Sequence, residues 1–327
     1  MKRLALALLT ALLLPFPVNA DDQLDRIKTN WQAWVKANKA TKSTISVARR
    51  GEIVMSDGIG TDAQTAMPFA SLGKAITAAC TAAAVNDGLF AYTDTLGALL
   101  EGSVDIHAAN ADITVAQLLS HGSGIAPDQT QNAMKKWVGG TSPKHKAATK
   151  TALSRAVQNG KRNAYYYNNE NYAILGHIIE AQTNGSYEAY CTQKILAPNG
   201  VTTANLTTIH GPFAAWGGWA MSADDYNRFI VANFGPNTAL GADPTKFPST
   251  ALNPKVNYGM GTFWRKHRAN HNYWHFGLLC FGRKNSGGSY FAYYEGKVSV
   301  VVTHNRCVDW DQSFALDKAI AGAVFNR

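Results

Sequence analysis

Two hydrophobic rhythms alternate along the chain. Thr44 to Gly60 (TISVARRGEIVMSDGIG) reads as two short strands meeting at Arg50-Gly51, a hairpin signal. From Leu72 the spacing changes: Leu72, Ile76, Ala79 and Ala83 share one helical face, and Gly88 supplies a C-terminal stop. Helical patterns such as Tyr172 to Gln182 (YAILGHIIEAQ) dominate from about residue 90 to 245, separated by long polar loops. After Pro254 strand-like runs return in YWHFGLLCFG, SYFAYYEG and KVSVVVTHN, with Gly, Asn and Lys turns between them. ALDKAIAGAVF (Ala315 to Phe325) closes the chain as a helix. Strands at both ends with helices between predict an α+β fold, in which one antiparallel sheet from both chain ends is flanked by helices and carries an inserted all-helical domain. The expected division is 21–70 plus 246–327 for the sheet domain and 71–245 for the helical one, with a site in the cleft between them.

The first twenty residues stand apart. Lys2 and Arg3 precede LALALLTALLLPFPV, and Val18-Asn19-Ala20 offers small residues for cleavage. That run is too short to span a bilayer, so it reads as a signal peptide with export following, into the periplasm by default or the medium. No membrane span is expected in the remainder.

Composition narrows the classes. Hydrophobic residues make up 46% of the chain and charged residues 16%, enough apolar material for a large core and against dominant disorder. The formal net charge is +9, and loss of Lys2 and Arg3 leaves +7. The basic residues are scattered; the densest group, Lys135, Lys136, Lys144, Lys146 and Lys150, has only Trp137 beside it and reads as a solvated face. Nucleic acid is excluded as a partner on that ground. Four cysteines (Cys80, Cys191, Cys280, Cys307) in an oxidising compartment suit disulfides. Cys280–Cys307 is favoured by its short separation, whereas Cys80 amid alanines also reads as a small buried apolar residue.

A nucleophile elbow G-x-S-x-G is absent; around Ser123 its glycine positions hold His121 and Ile125. The only S-x-x-K is Ser71-Leu72-Gly73-Lys74. On a helix its serine and lysine are neighbours, and a partly desolvated amine there can activate the hydroxyl beside unpaired helix N–H groups. Alone, the same four residues describe an ordinary helix cap with a solvated lysine. Two further stretches change that balance: Tyr167-Asn168-Asn169 ahead of a helix, and His275-Phe276-Gly277 on the first late strand.

In that order the three stretches resemble S-x-x-K, Y-x-N and [KH]-T-G of the penicillin-recognising serine hydrolases, most closely the class C β-lactamase and D,D-peptidase group with its related esterases. ITVAQLLSHGSGIAPD, WGGWAMSADDYNRFI, AYTDTLGALL and YGMGTFW extend the resemblance over roughly residues 40 to 325. It implies a β-lactamase/transpeptidase-like fold and a cofactor-free acyl-enzyme mechanism. Ser71 would be the nucleophile, Lys74 and Tyr167 would share base and acid work (Tyr167 as phenolate or through a shared proton), and Asn169 would bind a substrate amide. Backbone N–H groups of Ser71 and Leu278, just after Gly277, would form the oxyanion hole, and His275 would assist binding and proton transfer. Two departures stand out. His275 replaces the lysine of class C enzymes, and Phe276 replaces the hydroxyl residue that helps bind a substrate carboxylate. The missing hydroxyl weakens the case for β-lactams and carboxyl-terminal peptides, which carry that carboxylate; the substrate is expected to be a small molecule or peptidoglycan-type compound, with β-lactam or D-alanyl-type amides slightly ahead of esters. A carboxylesterase and a non-turnover penicillin-binding protein are the alternatives.

Weaker signals receive plainer readings. His267, His271 and His275 repeat every four residues, but NHNYW is a poor helix sequence, and on a strand such histidines lie roughly 13 Å apart. No metal is expected, and solvated turn histidines are the default. His121 reads as a structural hydrogen-bonding residue; Trp216 and Trp219 suit either the cleft or the core. The oligomeric state is left open, with a monomer as the default.

Overall fold

The computed structural model describes residues 20–156, 160–207, 209–282 and 285–326. The signal peptide expected over 1–20 lies, apart from Ala20, outside them. Eleven strands occur among the described residues: β1 (Ser43–Arg49), β2 (Glu52–Ile59), β3 (Met67–Pro68), β4 (Asn205–Leu206), β5 (Trp219–Met221), β6 (Ser249–Asn253), β7 (Val256–Gly259), β8 (Thr262–His267), β9 (Asn270–Leu279), β10 (Gly287–Tyr294) and β11 (Val298–His304). Eight of them form one antiparallel sheet in the order β2-β1-β11-β10-β9-β8-β7-β6, and β3-β5-β4 form a small second sheet. The chain thus has the expected α+β fold, with its main sheet drawn from both ends.

The hairpin turns where the sequence marks it, with Arg50 (φ 49°) and Gly51 (φ 95°) both in the left-handed region that a two-residue turn between strands needs. Along β1 the period of two decides which layer each residue joins. Ile45 and Val47 face the terminal helices Ala20–Ala37 and Trp310–Phe325, in a core shared with Trp31, Val300, Val302, Leu316 and Ile320. Thr44 and Ser46 are buried too; Thr44 pairs with the Thr303 hydroxyl (2.6 Å) and Ser46 accepts from Asn227 Nδ2 (3.1 Å) of the helix Ala223–Phe234. The two terminal helices are bound to each other by Asn30 Nδ2 donating to the Ala319 carbonyl and Trp34 Nε1 to that of Gln312, both at 2.8 Å.

Three strands, β6 to β8, precede the late runs read from the sequence. Their segments are short, interrupted by Asn253-Pro254-Lys255 and mixed in polarity (TFWRKH), so the long apolar runs that mark β9 to β11 are missing. The last helix starts at Trp310, five residues before the apolar run, because Asp309 and Gln312 form a capping box.

Cys280 pairs with Cys307, as favoured from their spacing. Cys80 corrects its reading as a merely apolar residue: it is buried but bonded to Cys191, tying the helix Gly73–Asn86 to the helix Tyr187–Cys191.

Two glycines hold the sheet against the start of the Gly73–Asn86 helix. A Cβ on Gly261 (φ +77°) would lie 2.5 Å from backbone atoms of Lys74 and Ala75, and one on Gly277 would lie 2.5 Å from the Phe69 carbonyl oxygen. Gly261→Ala should therefore combine backbone strain with a clash against rigid backbone, costing about 2 kcal/mol or more in urea unfolding; a change within about 0.5 kcal/mol would contradict this packing.

Candidate active site

Ser71 lies in the short turn Ala70–Leu72 that leads into the helix Gly73–Asn86. The helix N-cap is Leu72 and no side chain caps it, so Ser71 is not serving as the cap that an isolated S-x-x-K implies. The preceding residue, Ala70, holds φ at 49°, a costly value for an L-residue.

One turn on, Lys74 is fully buried. Its Nζ is 3.1 Å from Ser71 Oγ, 2.8 Å from Asn169 Oδ1 and 2.9 Å from the Trp216 carbonyl oxygen. It also lies 4.9 Å from the centre of the Tyr167 ring. Burial lowers its pKa from 10.5 to about 7, against an opposing pull from Asp128. The Trp216 carbonyl is fixed from behind, since the neighbouring Ala215 N–H donates to His145 Nε2 (3.1 Å) and His145 Nδ1 meets Glu180 (2.9 Å).

Tyr167 is half-buried with its hydroxyl toward Ser71, and desolvation there raises its pKa well above that of an ordinary tyrosine. It is therefore a phenol at neutral pH, and of the two states expected for it the phenolate does not fit this environment. Asn169 opens the helix Asn169–Thr183, its backbone N–H donating to Asp128 Oδ2 (3.2 Å). A buried pair fixes this helix start: the Glu170 carboxylate receives Arg155 at 2.9 Å and Asn168 Nδ2 at 3.1 Å.

On β9, His275 and Gly277 face the Ser71 turn while Phe276 and Leu278 face the terminal helices. β8 pairs with β9 only as far as Phe263↔Trp274, whereas β10 continues alongside it to Leu279. The opposite edge of β9 from His275 onward is thus free of a strand partner and borders the Ser71 turn. His275 Nδ1 donates to the Phe276 carbonyl (2.6 Å), which leaves Nε2 as an acceptor 3.4 Å from the Tyr258 hydroxyl. Burial, and then Lys74, depress its pKa to about 3, so it is a neutral imidazole.

The structure brings Ser71, Lys74, Tyr167, Asn169, His275 and Gly277, the residues singled out from the sequence, to one place, with the Leu278 backbone on the same strand. Sequence reading did not single out Asp128, Thr130, Tyr258 or the Trp216 carbonyl. Asp128-x-Thr130 has the look of an ordinary turn before a helix, and a backbone carbonyl carries no sequence signal at all. His121 is buried, its Nδ1 accepting from Asn171 Nδ2 at 2.9 Å, with its ring 4.4 Å from that of Tyr167. Trp216 and Trp219 are core residues, their indole N–H groups bonded to Met134 and Tyr187. The histidine triplet diverges: His267 pairs with Glu295, His271 packs beside Trp264, and His275 belongs to the site. Among the described residues no cluster of three metal-ligating side chains occurs.

A family model described as Beta-lactamase matches residues 33–322. The chain belongs to the beta-lactamase family. No curated protein matches the sequence. Among solved structures, an octameric penicillin-binding protein homologue from Pyrococcus abyssi superposes with a TM-score of 0.75 at 20% identity, covering 93% of this chain and 78% of that one. A D-stereospecific amidohydrolase from Streptomyces sp. gives 0.74 at 18% identity, covering 90% and 97%. The D-amino acid amidase from Ochrobactrum anthropi SV3 gives 0.74 at 16% identity, covering 93% and 99%. At these identities the similarity of this family member to them is one of fold.

The buried amine has a cost in stability. With a pKa of about 7 folded against 10.5 for a free lysine, the unfolded chain binds more protons between those values. Stability therefore rises with pH across that window, and the penalty is complete below about pH 7. Lys74→Met should stabilise the protein by about 2 kcal/mol in urea unfolding at pH 6, with the gain shrinking toward pH 10. A gain of equal size at both pH values would contradict the buried, deprotonating amine.

Proposed function

We propose that this chain is a serine hydrolase that forms an acyl-enzyme on Ser71. The observation that carries this reading is the hydrogen-bond count at Lys74. A neutral amine has two N–H groups and one lone pair. The Asn169 Oδ1 and Trp216 carbonyl oxygens can only accept, so they take both N–H groups and the lone pair is left for the Ser71 hydroxyl.

In this mechanism Ser71 Oγ attacks the substrate carbonyl as its proton passes to Lys74. The oxyanion rests against the backbone N–H groups of Ser71 and Leu278. The C–N or C–O bond then breaks, and the leaving group takes a proton from the Tyr167 phenol, which Lys74 reprotonates. Water completes the cycle by the reverse path: it gives its proton to Lys74, attacks the acyl carbonyl and expels Ser71.

The substrate read first from the sequence was a β-lactam or D-alanyl-type amide, and both carry a carboxylate near the scissile bond. The site offers that carboxylate little. His275 is neutral with its Nε2 an acceptor, and Phe276 turns to the far face of the sheet against Tyr290 and Phe314. We therefore favour amides and esters whose leaving group bears no carboxylate, a class that accommodates amides of the kind named for the amidase and amidohydrolase neighbours. Export through residues 1–20 is part of the proposal, supported by two disulfides that need an oxidising compartment. No helix among the described residues is long and apolar enough to cross a membrane.

Intact-mass spectrometry separates the readings. A D-amino acid amide or p-nitrophenyl ester should turn over with a transient adduct on Ser71, while benzylpenicillin should acylate more slowly. A persistent penicillin adduct without turnover of either neutral substrate would identify a binding protein instead. Ser71→Ala should form no adduct, and Tyr167→Phe should lower kcat by about 10²-fold or more. The kcat/KM profile should rise with pH through about 7 as Lys74 loses its proton. Full activity in Ser71→Ala would end this proposal.

A further inference from the structure

The orientation of Asn169 is not left to chance. The Thr130 hydroxyl donates to Asp128 Oδ1 (2.6 Å), and the Thr130 backbone N–H donates to the same oxygen (2.9 Å). Having spent its only proton on the carboxylate, the Thr130 hydroxyl can only accept from its other neighbour. That neighbour is Asn169 Nδ2, at 3.1 Å. Asp128 Oδ2 meanwhile accepts the Asn169 backbone N–H at 3.2 Å, closing a ring around the first residue of the helix. The amide therefore has one permitted orientation, with Oδ1 on Lys74 at 2.8 Å.

We propose that Asp128 and Thr130 are positioning residues of the acyl-transfer site: they hold the Asn169 amide so that it presents an acceptor to Lys74 and leaves the amine lone pair directed at Ser71. The inference rests on the Ser71 acyl-enzyme reading. Were the amide turned over, its Nδ2–H groups would occupy that lone pair and Ser71 would lose its base. With Nδ2 bound to Thr130 and Oδ1 to Lys74, Asn169 is also committed within the protein, which departs from the substrate-amide role the resemblance implied for it. Asp128 adds a charge effect. Lys74 is faced by the rings of Tyr167 and Tyr172, by the neutral imidazoles of His121 and His275, and by Asp128, whose carboxylate favours its protonated form.

The test is labelling of the full-length exported protein with a fluorophosphonate, followed by intact mass from about pH 5 to about pH 9. The wild-type rate should rise through about pH 7. Asp128→Asn keeps the size but removes the charge, and should move that limb about one pH unit lower. Thr130→Val should slow labelling about tenfold or more at every pH, and Thr130→Ser should restore it to within about threefold of wild type. A limb unmoved in Asp128→Asn, or a Thr130→Ser variant as slow as Thr130→Val, would reduce both residues to structural supports and overturn the inference. If wild type is not labelled at Ser71, the acyl-enzyme reading itself fails and takes this inference with it; labelled wild type with unaltered variants sinks the inference alone.

Discussion

The site depends on removing one amine from water. Lys74 is enclosed on every side, and a buried ammonium is so unfavourable that the amine gives up its proton near neutrality. Everything around it follows from keeping that neutral amine satisfied. Two carbonyl oxygens take its N–H groups, and each is immobilised by a second layer: Asn169 through Thr130 and Asp128, Trp216 through the Ala215 bond to His145. An amine bonded in this way has no freedom to rotate, so its lone pair has a fixed direction.

The main sheet supplies the other half of the geometry. β8 stops pairing with β9 one residue before His275, and this early ending opens an edge of backbone beside the Ser71 turn. Glycine at 277 and 261 lets strand and helix approach at distances that a Cβ would forbid. The site is thus built where secondary structure is deliberately incomplete: a strand edge without a partner, a helix without a capping side chain, and an alanine at positive φ.

How much of this was legible depended on whether a role belongs to a side chain or to its surroundings. Ser71, Lys74 and Tyr167 could be found because spacing on a helix, together with the order of three short stretches, constrains their chemistry. Asp128 and Thr130 could not, because a short Asp-x-Thr turn is common and its meaning here comes from a helix that begins some forty residues later. The Trp216 carbonyl could not be found by any reading of residue types. At Phe276 the sequence showed only that a hydroxyl was missing; the alternation of β9 shows that the side chain serves the opposite face. The same holds for the fold. The long apolar runs of β9 to β11 were visible, while β6 to β8 are short, mixed in polarity and left little trace.

The pairing of the two chain ends has a consequence for the timing of folding. β1 lies between β2 and β11, and the first helix is clamped to the last through Asn30–Ala319 and Trp34–Gln312. A polypeptide delivered amino end first presents the β1–β2 hairpin long before the strand that must flank it. Until β11 and the closing helix arrive, Ile45, Val47 and Trp31 lack Val300, Val302, Leu316 and Ile320, the rest of the core they share, and an isolated hairpin is only marginally stable in water. Such a chain stays pliable until its tail is present and becomes committed only then, at the cost of a late, slow search for contacts distant in sequence.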